Sequence, residues 1–249
     1  MSGNTSEEGV VLERDAAADV RAFYLQAAFR ALLDAMARPG ELAELPAAPA
    51  QVTAEARRIG VGVGALELVD VLLDAATSFA VAGPASGEVE RAVAGRTHAA
   101  PREVGEAAFV LVGEDVRGED AASAVLAACA GTLISPHLGA TIVVGCGALL
   151  GLDAAGVRTG SVSGAAACEG FELSGPGVDG TSRLVLDRGD VMRARIERGD
   201  EFPCGVDLVF VDGTGHVACV PRSSAVTPLG TTADIDDSGS RRGGASWAM

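Results

Sequence analysis

Apolar positions near the start of the chain recur with a helical spacing. Phe29, Leu32, Leu33 and Met36 fall at i, i+3, i+4 and i+7, on one helix face. Val20, Phe23 and Ala27 extend that stripe backwards, so a helix is predicted from about Ala17 to Ala37. Pro39-Gly40 ends it, because proline cannot continue the ladder and glycine eases the turn. Leu66, Val69, Leu72 and Leu73 predict a second helix ending near Ala76.

Further along, short β-branched runs take over. Ser78 to Ala82, Phe109 to Val112 and Ala140 to Gly145 read as buried strands. Two more are expected around Val157 to Ser163 and Gly170 to Ser174. Glu119 to Ala130 reads as a small-residue helix stopped at Gly131, and Leu186 to Arg198 as a charged helix. Val206 to Val211 and Val217 to Val220 form a hairpin across Asp212-Gly213-Thr214-Gly215. Helices and strands alternate throughout, which favours a layered α/β architecture. The expected organisation is a flexible acidic arm over residues 1–16, a single α/β domain over 17–229 and a disordered tail over 230–249. There is no internal repeat.

Composition narrows the chemistry. All 19 cationic side chains are arginine, and lysine is absent. A Schiff base to a carbonyl substrate or to pyridoxal phosphate therefore cannot form, and neither can a lysine-bearing phosphate loop. The plainest reason for the absence is a coding bias toward Arg, Ala and Gly. The net charge of −15 disfavours nucleic acid and anionic lipid as partners, since the arginines are scattered. The longest uncharged apolar run, Leu138 to Leu152, is too short to span a bilayer. Met1 to Arg14 carries adjacent glutamates and no apolar core, unlike a signal peptide. Five cysteines without short spacings point to buried thiols in a reducing cytoplasm, and three distant histidines give little support to a metal site.

Several motifs bear on chemistry. Gly60-Val61-Gly62-Val63-Gly64-Ala65 holds a G-x-G-x-x-A pattern, but the residues before it do not read as the strand a dinucleotide site needs. It reads better as a Gly-rich approach to a helix. Gly145-Cys146-Gly147 reads as the end of a buried strand. No serine elbow surrounds Ser161 or Ser163, and Glu197, Asp200 and Glu201 read as a solvated acidic helix end. Ser174-Gly175-Pro176-Gly177 is a turn whose backbone N–H groups can form an anion-binding nest, or else an ordinary tight turn. Asp207, carried into a strand behind Phe202-Pro203-Cys204-Gly205-Val206, needs a partner if buried. Arg222, beyond the next strand, is placed to be that partner across the hairpin.

Taken in order, these segments resemble a known family. The run from Phe29 to Gly40, Gly139-Ala140-Thr141, Leu173 to Val178, Phe202 to Leu208 and Val220-Pro221-Arg222 resemble landmarks of the H subunit of the bacterial carbon–phosphorus lyase core complex, PhnH. The resemblance covers about residues 18 to 228. One departure is His137, where the family carries an acid after the proline, so an acidic role is not carried over there.

The resemblance implies a layered α/β/α domain with a mixed sheet, like a pyridoxal-phosphate-dependent transferase fold without the cofactor. It implies a cytoplasmic homodimer that assembles with the G, I and J subunits. It also implies a required but not separately catalytic part of a ribose 1-methylphosphonate 5-triphosphate synthase (transferase) complex in phosphonate catabolism. No cofactor or metal is expected on this chain. The alternative is a phosphate- or phosphonate-binding subunit, with Ser174, Gly175 and Gly177 joined by Arg30 or Arg222. Asp207, Pro203 and Gly205 are expected to be structural.

Overall fold

Alternate side chains of the buried strands divide between two cores, and the elements are arranged around that division. The computed structural model describes residues 5–84, 86–152, 158–162 and 167–231. The expected tail from residue 232 onward lies outside them. In chain order the elements are α1 (Thr5–Ala37), β1 (Ala43–Glu44), α2 (Ala50–Ile59), α3 (Val63–Leu72), β2 (Ser78–Val81), α4 (Ser86–Thr97), β3 (Ala100–Pro101), β4 (Phe109–Val112) and α5 (Glu119–Ala127). After a 3₁₀ turn at Pro136–Leu138 come β5 (Thr141–Cys146), β6 (Ala148–Leu152), β7 (Arg158–Val162), β8 (Glu169–Ser174) and β9 (Ser182–Leu186). The described chain closes with α6 (Gly189–Arg198), β10 (Asp207–Asp212), β11 (His216–Val220) and β12 (Ala225–Thr231).

The main sheet has seven strands in the order β1-β11-β10-β5-β4-β2-β3. β3, β2, β4, β5 and β10 run parallel; β11 pairs antiparallel with β10, and β1 pairs antiparallel with β11. The chain is therefore α/β with a mixed sheet. Val110, Val112, Ile142, Val144, Leu208 and Phe210 face one core, with α5 and α6. Leu111, Val143, Val209, Val211, Val217 and Cys219 face the other, with α1 to α4. This is the period-two partition of a sheet buried on both sides.

The structure differs from the sequence expectations in three places. First, α1 starts at Thr5 rather than Ala17, so residues 5–16 continue the helix instead of forming a loose arm. Extending an existing helix needs no new nucleus. The buried face of α1 is also narrower than the apolar stripe. Ala28, Leu32 and Ala35 are buried, whereas Phe29 and Leu33 remain about half exposed. Second, one face of the main sheet is covered partly by another sheet, so the layering is not simply α/β/α. This five-stranded antiparallel sheet, β12-β8-β9-β6-β7, sends Leu149, Phe171, Leu173, Leu184 and Leu186 into the shared core. Third, Leu186 completes β9, so the charged helix begins only at Gly189.

A buried arginine locks the two sheets together. Arg188 is fully buried at the β9–α6 junction. Its guanidinium donates to the carbonyls of Gly113 (3.2 Å), Gly145 (2.6 Å) and Val116 (2.7 Å), and its Nε to Asp190 (3.3 Å). Neighbouring Asp187 accepts from Gly147 N (3.2 Å) and Arg117 Nη2 (2.8 Å). The carboxyl ends of β4 and β5 are thus tied to the second sheet through side chains. Arg188→Met leaves those carbonyls without donors, and equilibrium urea unfolding is expected to show a loss of about 3 kcal/mol or more.

Candidate functional site

The landmark segments meet around Arg222. β10 and β11 form the expected hairpin, with Leu208 opposite Val220, which brings Asp207 beside the residue following β11. Arg222 donates its backbone N–H to Asp207 Oδ1 (2.7 Å) and its Nε to Oδ2 (3.0 Å), while Nη2 also reaches Oδ2. The same guanidinium donates to the carbonyls of Pro136 (2.7 Å) and Gly139 (3.1 Å). Both side chains are largely buried. Every guanidinium nitrogen of Arg222 is committed to these bonds, so the side chain acts as a clamp between β10 and the 136–139 turn.

Two glycines let the clamp close. A Cβ on Gly139 would overlap the Arg222 guanidinium and the Gly205 carbonyl. Gly205 has φ +129° and would place a Cβ 3.2 Å from that of Arg222, while its N–H donates to Ala130 O (2.8 Å). Pro203 follows a cis peptide bond, two residues before Gly205. The Ser174–Gly177 turn borders the same region. Ser174 pairs with Ala225, Gly175 lies against the backbone of Ser223 and Ser224, and Gly177 lies against the Ala37 carbonyl at the end of α1. Arg30 stays exposed on α1 and makes no hydrogen bond or ion pair among the described residues. Of the expected ligand-binding set, the structure therefore gathers Ser174, Gly175 and Arg222, and leaves Arg30 apart.

Beside the clamp lies a groove of about 220 Å³, lined by Arg195, Asp200, Gly205, Arg222 and Ser224 among others. Arg195 Nη2 donates to the carbonyls of Pro221 (2.9 Å) and Ser224 (3.0 Å). Its Nε and the Ser224 hydroxyl are buried without a hydrogen-bond partner. Burial pushes the ionisation of Arg195 down from the usual arginine value, against the pull of nearby Asp207 and Asp200. Neither Arg195 nor Ser224 stands out in the sequence. Arg195 is one of three arginines on α6.

A larger cavity of about 400 Å³ opens at the carboxyl ends of β2, β4, β5 and β10. β2 leads outward to β3 and the chain then returns to β4, so the cavity sits at a topological switch point of the sheet. The Gly60–Gly62 stretch lines it, but as the left-handed cap of α2 and the start of α3. A helix precedes this motif, as the Gly-rich approach reading requires. The walls are apolar, from Val69, Val81, Leu111 and Val143, and the polar lining is acidic, from Glu88, Glu114, Asp115 and Asp120. Among the described residues, no arginine or histidine lines the cavity, so its field opposes anions.

Asp212, at the cavity edge, gathers a polar cluster. Ser161 Oγ donates to its Oδ2, and the backbone N–H groups of Thr214 (2.8 Å) and His216 (3.0 Å) donate to Oδ1. His216 Nδ1 lies 3.1 Å from Oδ2 and 2.8 Å from Thr214 Oγ1. Serine, aspartate and histidine are thus together, but the histidine does not stand between the other two. The arrangement does not activate the serine as a nucleophile. Cys146 and Cys219 are buried, and burial pushes both thiols up, away from the reactive thiolate. Among the described residues, no group of three or more His, Cys, Asp or Glu side chains is placed to hold a metal, and no helix is long and apolar enough to cross a membrane.

The sequence has a counterpart among known families. The family model described as bacterial phosphonate metabolism protein (PhnH) matches residues 17–227. The chain belongs to that family, and phosphonate metabolism is its setting. No curated protein matches the chain.

The Asp212 cluster carries a pH dependence. Burial raises the carboxyl, but the hydrogen bonds from Ser161, Thr214 and the backbone of Thr214 and His216 outweigh it and hold Asp212 below the usual aspartate value. A depressed folded value contributes stability above the unfolded value of about 3.9, lost as pH falls through the folded value. Asp212→Asn is therefore expected to be less stable than wild type near neutrality. The gap should narrow on acidification below about pH 4, read by urea midpoints across pH.

Proposed function

We propose that the chain is a non-catalytic subunit of a carbon–phosphorus lyase complex. It supports formation of ribose 1-phosphonate 5-triphosphate from ATP and a phosphonate. The observation that carries this reading is the family match over residues 17–227. In this reading the chain works in the cytoplasm as a homodimer with the G, I and J subunits. Its fold is that of a pyridoxal-phosphate-dependent transferase whose cofactor chemistry is closed to it, because no lysine exists to hold the cofactor.

The surface supports a docking role. Val20, Phe23, Phe29 and Leu33 on α1 expose apolar surface, as do Leu133, Ile134, Leu138 and Phe202 near the clamp. Large apolar side chains left on the surface in groups mark places where partners dock. The strong negative charge then favours neutral or basic partner faces.

A second reading keeps the chain as a phosphate- or phosphonate-binding subunit with its site at the Ser174–Gly177 turn. The arginine groove adjoining Gly175 and Ser224 favours it. The two readings share the complex and differ in whether this chain touches a ligand.

Co-expression of the full tagged chain with the G, I and J subunits tests the proposal. All three are expected to co-elute with it, and the isolated chain is expected to show no turnover of ATP with methylphosphonate. Intact expression of all four without co-elution rejects the subunit role. Turnover by the isolated chain rejects the non-catalytic one.

A further inference from the structure

Charge accounting around the clamp leaves one cation over. Asp207 is matched by Arg222, and Asp200 accepts from Arg198 Nε at 2.6 Å. Arg195 lies among these groups and has no carboxylate partner. Two backbone carbonyls hold its Nη2, and its Nη1 makes no hydrogen bond among the described residues. Arg195 is half-buried, and its Nε is fully buried. A largely desolvated guanidinium without a counter-charge is unfavourable, and an unpaired buried donor adds to that penalty.

The second anomaly is in the same place. Ser224 is 5% exposed, lines the groove, and its hydroxyl has no partner. Among the described residues three buried side-chain atoms lack a hydrogen-bond partner, and two of them, Arg195 Nε and Ser224 Oγ, belong to residues lining this one groove. Buried polar groups are otherwise satisfied almost everywhere in folded proteins, so the coincidence needs a cause. A groove of about 220 Å³ has room for a small ion with its water but not for a nucleotide.

We propose that this groove binds one small tetrahedral oxyanion, held by the Arg195 guanidinium and the Ser224 hydroxyl. A tetrahedral group offers several acceptor oxygens at once. It can take a charge-assisted bond from arginine and a bond from serine without moving the carbonyls that already hold Nη2. Arg222 stays with Asp207 and forms the wall of the site. The inference concerns this chain alone, so it can fail while the subunit role stands, and the reverse.

The test uses the isolated full chain, titrated calorimetrically with orthophosphate, methylphosphonate and, as a planar control, acetate, each to about 10 mM. The Arg195 Nε–H resonance is followed in parallel by heteronuclear NMR. Saturable single-site binding of orthophosphate, with a shift of that resonance, is expected. Ser224→Ala should weaken binding roughly threefold to tenfold, and Arg195→Gln by about tenfold or more. If Arg195→Gln does not fold, Ser224→Ala and the resonance shift still decide the matter. Binding of methylphosphonate as well assigns a phosphonate head group as an occupant, and binding of orthophosphate alone assigns free phosphate. Absence of binding by both, equal binding of acetate, or affinity unchanged by the variants overturns the proposal.

Discussion

The Asp207–Arg222 pair is the contact on which the rest of the site depends. It joins the start of β10 to the second residue after β11 and, through the Pro136 and Gly139 carbonyls, to the turn before β5. These segments lie far apart in sequence. One planar guanidinium with five donors can satisfy all of them at once, which a lysine ammonium cannot do with the same geometry. In a chain without lysine, the recurrence of this device is instructive. Arg188 does the same for the carbonyls of Gly113, Val116 and Gly145, and Arg198 for those of Val125, Leu126 and Ala128. Buried arginine here serves chiefly to satisfy backbone carbonyls where irregular segments meet.

This use of arginine accounts for the small residues where these segments meet. A side chain at Gly139 would collide with the clamp, and Gly205 packs tightly against it at φ +129°, a conformation that favours glycine. Gly175 abuts the segment that leaves it, and Gly177 abuts the end of α1. Segments that are individually plain in sequence are therefore parts of one junction. The second sheet is then fixed against the first, since β12 starts directly beyond Ser224 and pairs along the whole of β8.

Much of this was legible in the sequence, for definite reasons. Phe109–Val112 and the hairpin around Asp212–Gly215 follow from β-branched runs flanked by turn residues, and the Asp207–Arg222 pair follows from the hairpin. Other elements carried weaker signals. α2 and α4 are polar and alanine-rich, and their packing against α3 includes the Arg96–Asp70 pair, which has a sequence separation that periodicity cannot reveal. β6 hides in a glycine-broken run, β9 merges into the following helix, and β12 has no strand signal around Pro228 and runs two residues into the expected tail. The apolar stripe of α1 misled because part of it stays on the surface, where Phe29 and Leu33 are about half exposed. Arg195 and Ser224 were invisible because nothing in their local sequence distinguishes them. Only the fold shows that their neighbours leave them unsatisfied.

The central claim is that Asp207 and Arg222 act as one unit that holds the landmark junction. A double-mutant cycle of Asp207→Asn and Arg222→Met, followed by urea unfolding at neutral pH, tests it most directly. The account predicts that each single change is strongly destabilising and that the double variant is little worse than either. The coupling energy should then be about 2 kcal/mol or more. Additive losses, with coupling near zero, would show that the two side chains contribute separately, and would contradict the account.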